Sequence, residues 1–204
     1  MVLHLICCGH PQDGICVGQF DVCSSDQAVA SQILKLKQTL KKKLEVDIYS
    51  SDQRVAQESY KSFCTELVDP KQLHIDPTLR DIHFGLWEGE EWNKICEKWP
   101  QDLANFSRDW VNNRATSGES FKDVVLRVTP FLSRVKQEII DGANVLVFSH
   151  PSAIRGLLCH VLEIPLSNAY SIKIDYGRLY VLDYDTCKEL WQILHSNIPY
   201  FEHY

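Results

Sequence analysis

The chain has 204 residues, of which 45% are hydrophobic and 24% charged, with a formal charge of −6. That length supports one sizeable core, and the acidic balance lacks the basic footprint of a nucleic-acid-binding protein. With no leader-like start and no apolar run near the ~20 residues of a membrane span, the expectation is a cytoplasmic protein without a membrane partner, its eight cysteines reduced rather than paired.

Residues 2–7 (VLHLIC) form a short apolar run, expected to be a buried strand. Residues 9–23 are rich in Gly, Pro and Asp and read as a long loop. From Ser24 the period becomes helical: Ala28, Ile33, Leu36 and Leu40 share one face, and Lys41 to Lys43 suit a helix C-terminus. Residues 46–49 (VDIY) are a second strand, after which Ser50 or Ser51 caps a helix through about Leu67. A strand-like LHI follows at 73–75, then helices at 90–98, 101–112 and 119–140. Residues 144–149 (NVLVFS) read as a strongly buried strand, and Ile154, Leu157, Leu158 and Val161 mark the next helix. Strands near 170–175, 178–184 and 189–195 close the chain. Strands alternating with helices predict an α/β fold with a mostly parallel sheet, and no linker or repeat divides residues 1–204 into more than one domain.

Ligands in such sheets bind beyond the carboxyl ends of the strands. Three of these ends carry polar groups: Cys7, Cys8, Gly9 and His10 after the first strand, Arg54 after the second, and His150 with Arg155 after the NVLVFS strand. An arginine and a histidine at neighbouring strand ends, each leading into a helix N-terminus, suit an anion. Taken singly, each has a plainer reading: a core histidine bonded to backbone, a solvated arginine, or, for Asp81, an ordinary loop carboxylate.

The order of these motifs resembles the histidine phosphatase superfamily, with its phosphoglycerate-mutase-like fold, and within it the α-ribazole phosphatases. The resemblance runs through GQFDVCSS (18–25), IYSSDQRVAQ (48–57), LRDIHFGLWEG (79–89), SGESFKDVVLRV (117–128) and VLVFSHPSAIRGLL (145–158). It implies a three-layer α/β/α sandwich and phosphomonoester hydrolysis through a phosphohistidine, with no metal and no cofactor. Two arginines and a second histidine then hold the phosphoryl oxygens of a phosphorylated small molecule while a carboxylic acid protonates the leaving oxygen. Carried over by position, His150 is the second pocket histidine, Arg54 the second pocket arginine and Asp81 the acid. Gln19, Ser50, Gln57 and Glu119 fall in the substrate-pocket motifs.

The family's first strand ends Leu-x-Arg-His-Gly, whereas this chain reads Leu5-Ile6-Cys7-Cys8-Gly9. Gly9 keeps the register. Cys7 replaces the first phosphate-binding arginine, and Cys8 stands at the catalytic nucleophile position. Pro151 also replaces a glycine and offers no N–H to an anion. Cys8 lacks the phosphate cradle of cysteine phosphatases, because six residues onward stands Gly14 rather than arginine. His10 lies two residues on, roughly 6–7 Å along an extended chain, whereas attack needs atoms about 3–3.5 Å apart. Adjacent cysteines fit neither zinc spacing nor a Cys-x-x-Cys redox pair. The expectation is a family member with abolished or severely impaired hydrolysis that keeps weak phosphate binding. Two alternatives stay open: an active phosphomonoesterase using Cys8 or His10, and a non-catalytic interaction protein.

Overall fold

The computed structural model describes residues 2–8, 14–20, 46–67 and 73–198. The helix expected from Ser24 and the positions Gly9 and His10 lie outside them. Strands β1 (Val2–Cys7), β2 (Val46–Ser50), β3 (Leu73–Ile75), β4 (Asn144–Ser149), β5 (Leu179–Asp185) and β6 (Leu190–Ile198) form one sheet in the order β3-β2-β4-β1-β5-β6. The first four run parallel, and β5 and β6 are antiparallel additions at one edge. β1 lies centrally, with Leu5 opposite Val147 on one side and Tyr180 on the other. Its near-continuous apolar run is the pattern expected of a strand covered on both faces.

Helices α1 (Arg54–Leu67), α2 (Trp92–Lys98), α3 (Pro100–Arg108), α4 (Phe121–Ile140) and α5 (Pro151–Val161) complete the α/β architecture. Ser120 caps α4 through a capping box with Asp123, so this helix begins just after the capping residues. α4 and α5 close one face of the sheet over Leu3, Leu5, Cys7, Val145 and Val147. On the other face Ile6, Cys8, Ile48, Leu146 and Phe148 pack with Ala56 of α1. Successive strand residues point to opposite faces, so the two neighbouring thiols enter different cores and together form neither a chelate nor a redox couple. No helix among the described residues is long and apolar enough to cross a membrane.

The strand expected near 170–175 is instead a 3₁₀ turn, Leu166–Ser171. Leu166 and Ala169, three residues apart, turn toward the core, while Tyr170 lies outside under the Arg155 guanidinium, 4.9 Å from its ring centroid. One inward residue per turn replaces the alternation a strand needs. The helix expected over 101–112 stops at Arg108, where the Asp109 carboxylate takes the Asn112 N–H and side-chain amide and folds the chain into a turn.

Candidate functional site

The carboxyl ends of β1, β2 and β4 form the floor of a cavity of about 620 Å³. Backbone bonds extend the sheet past its strand ends and fix that floor: Cys8 N–H donates to Ser149 O (2.7 Å), Ser51 N–H to Phe148 O (2.9 Å) and Asp76 N–H to Ser50 O (2.9 Å). Of the residues singled out from the sequence, Cys8, Gln19, Arg54, Asp81 and His150 line the cavity. Cys7, Ser50, Gln57 and Glu119 do not.

His150 is the residue before α5, in extended conformation, and is 3% exposed. Its Nε2 meets no hydrogen-bond partner among the described residues. Burial pushes its pKa down to about 4, only partly opposed by the Asp81 carboxylate. At neutral pH the ring is therefore uncharged, with one nitrogen available to a ligand. The helix N-terminus beside it has little left to offer an anion: Pro151 has no N–H, and the Ser152 N–H donates to Asp81 Oδ1 at 3.1 Å.

Cys8 is 1% exposed and its Sγ donates to Ile6 O at 3.6 Å. Burial pushes its thiol up to about 12, leaving a thiolate fraction on the order of 10⁻⁵ at neutral pH. The Cys7 thiol is fully buried under α4 and α5 and is pushed up as well, first by burial and then by the neighbouring Cys8, Asp81 and Asp175, with Arg155 opposing.

The cations of the cavity are already matched. Arg54 Nε donates to Glu58 Oε1 at 2.7 Å. Arg80, which sequence reasoning missed, grips both oxygens of Asp52, its Nε lying 2.7 Å from Oδ1. That guanidinium holds the Asp52 carboxyl below its usual range. Arg80 stood next to a singled-out residue and Asp52 two before another, but their pairing across 28 positions appears only once β2 and β3 are side by side. Tyr176, also in the lining, comes from the approach to β5 and carried no sequence signal.

Glu119 and Gln57 act from behind the site. Arg127 of α4 uses all five of its N–H donors: two bonds reach Glu119, and three reach the carbonyls of Thr78, Arg80 and Asp81 at 2.7–3.1 Å. Glu119 Oε2 also accepts the His83 N–H at 2.9 Å. This frame holds the 78–83 segment, and hence Asp81, against α4. Gln57 donates to Ser50 Oγ and Ser51 O and so braces the end of β2. Replacing Arg127 with leucine removes a donor from three carbonyls and the counter-ion from Glu119, where both charged side chains are only about one-fifth exposed. A loss of about 3 kcal/mol is expected, read as a fall of roughly 6–12 °C in thermal midpoint. An unchanged melt would show that the frame is not structural.

The profile of the Histidine phosphatase superfamily (branch 1) matches residues 12–199, beginning after the two cysteines. The adenosylcobalamin/α-ribazole phosphatase of Salmonella typhimurium is 29% identical over 104 residues, 51% of this chain and 51% of that protein. The chain thus spans about half the length of that relative. The α-ribazole phosphatase of Shigella flexneri superposes with a TM-score of 0.85 at 22% identity, covering 97% of this chain and 96% of that one. A mycobacterial glucosyl-3-phosphoglycerate phosphatase with inorganic phosphate superposes at 0.76 with 23% identity, covering 98% of each chain. The last two likenesses concern the fold.

Proposed function

The chain belongs to branch 1 of the histidine phosphatase superfamily, and from that premise we propose that it binds phosphorylated small molecules without hydrolysing them at any appreciable rate. The observation that carries this reading is Cys8: a buried, protonated, hydrogen-bonded thiol at the strand end where the family motif has its nucleophilic histidine. Losing the nucleophile of a catalytic unit costs on the order of 10⁶-fold in turnover. The first pocket arginine is also gone, and Asp81 has one carboxylate oxygen engaged by the α5 N-terminus. What favours retained binding is the buried Nε2 of His150, without a partner among the described residues, in a cavity that Arg54 also lines. A matched set of charges makes that binding weak for a bare anion. The unpaired state of Cys7, Cys8, Cys16, Cys96, Cys159 and Cys187 supports a reducing, cytoplasmic setting.

The test is an assay of the purified chain and of Cys8→Ala on p-nitrophenyl phosphate, with calorimetric titration of inorganic phosphate. Background-level turnover in both, with measurable phosphate binding weakened by His150→Ala, is the expected result. Robust turnover abolished by Cys8→Ala would overturn the reading in favour of a thiol phosphatase. An inert chain that binds no phosphate would leave a pure interaction protein.

A further inference from the structure

Arg80 and Asp52 form a two-armed ion pair in the lining of the cavity. Arg80 Nε donates to Asp52 Oδ1 at 2.7 Å, and a second N–H of the guanidinium reaches Oδ2. Asp52 and His150 also feel each other's charge, so the carboxylate stands within electrostatic reach of the buried imidazole. A guanidinium fork on two oxygens of a carboxylate is the same contact it makes with two oxygens of a phosphoryl group.

Neighbouring bonds set the pair in place. The next residue along each segment makes a second cross-link, Asp81 N–H donating to Gln53 Oε1 at 2.7 Å. Gln53 Nε2 donates in turn to Gly18 O at 3.1 Å, and the Gln53 N–H to Ser51 Oγ at 3.2 Å. On the other side the Arg80 carbonyl accepts from Arg127 at 3.0 Å. The carboxylate therefore meets the guanidinium intramolecularly, at an effective concentration on the order of millimolar or higher. The Arg80 and Asp52 side chains are 42% and 25% exposed, so the pair can open toward solvent without unpacking the core.

The charges of the lining cancel. Arg54 and Arg80 bring positive charge, and Asp52 and Asp81 negative charge in equal number. His150 is neutral near pH 7. An incoming dianion thus leaves water for a cavity with no net charge to meet it. Removing the Asp52 carboxylate would free the fork and leave the lining cationic.

We propose that Asp52 is a built-in competitor for Arg80: its carboxylate occupies the fork that a phosphoryl group would otherwise grip, and so sets the anion affinity of the cavity. This rests on the reading above that phosphate binds weakly, and adds the residue that makes it weak. Arg80 contributes to anion binding only when Asp52 is displaced from it. Asp52 is then a specificity-determining residue that holds bare anions at low affinity.

Calorimetric titration of inorganic phosphate into the full chain and three variants tests this, with a thermal melt to check the fold of each. Asp52→Asn, nearly isosteric, is expected to bind phosphate about ten-fold tighter than the parent, or more. Asp52→Ala should show a similar gain, since it too removes the charge that holds Arg80. Asp52→Asn/Arg80→Gln should lose the gain. Parent-level affinity in both folded single variants overturns the competitor and leaves the phosphate-binding reading standing. A gain that persists in the double variant traces to repulsion at a distance rather than to the Arg80 fork, and overturns the competitor as well. Binding seen only once Asp52 is replaced supports the competitor and overturns the reading that the parent binds phosphate. Binding in none of the four proteins overturns both.

Discussion

Replacing Cys7 with arginine and Cys8 with histidine is expected to raise phosphomonoesterase turnover on the order of 10³-fold or more over the parent chain. Residue 8 lines the cavity, so an imidazole there joins His150 and Arg54 at the strand ends. Residue 7 is fully buried, so a guanidinium there depends on nearby carboxylates. Asp81 and Asp175 act on the Cys7 thiol from one side of the balance and only Arg155 from the other. Asp81 and Asp175 are then the groups that can offset the guanidinium's charge. Cys8→His alone is the arm least exposed to a folding defect. It should give a smaller gain, together with a phosphoryl group trapped on the new imidazole and detectable by mass spectrometry. A folded double variant, confirmed by its melt, that stays at background would show that the loss extends beyond these two positions, to Asp81 or Pro151.

Acidification from pH 7.5 to 4.5 is expected to remove on the order of 5 kcal/mol of folding stability through two histidines. His4 and His150 are 8% and 3% exposed, and burial pushes both pKa values from 6.5 down to about 4. In the unfolded chain both rings take up protons near 6.5; in the native chain neither does until about 4. Over that interval the unfolded state binds more protons, so stability falls as pH falls. The contribution is complete above 6.5 and is lost as pH falls through 4. Urea midpoints across this range should drop, and His4→Gln and His150→Gln should each flatten the curve. A parent midpoint that does not move with pH would mean that both rings take up protons in the fold as readily as in the unfolded chain.

Much of this architecture was legible from local pattern. β1 and β4 announced themselves because both are apolar throughout, as strands covered on two faces must be. α4 was legible because apolar residues recur along one side, and Phe121, Val124, Val128, Phe131, Leu132 and Val135 are buried there. Residues 170–175 misled because Ile172 and Ile174 alternate as in a strand and both pack on the core, yet they follow a 3₁₀ turn and lie outside the sheet. At the site, residues standing at strand ends, such as His150 and Cys8, could be placed in advance, since topology alone brings those ends together. Glu119 and Gln57 share motifs with the site but turn toward Arg127 and Ser50, a distinction that depends on side-chain direction. The Arg80–Asp52 pair and Tyr176 depend on long-range register, which no short stretch encodes.

The burial of Cys7 also changes what the resting protein must tolerate. A pocket that gathers guanidinium and imidazolium groups before its anion arrives holds like charges together away from water, and the rest of the fold has to restrain that repulsion. Here the strand end is a neutral core position, packed among Leu79, Ile82 and Ala153. On the proposed reading, this strand end adds no like charge that the fold must restrain before a ligand arrives.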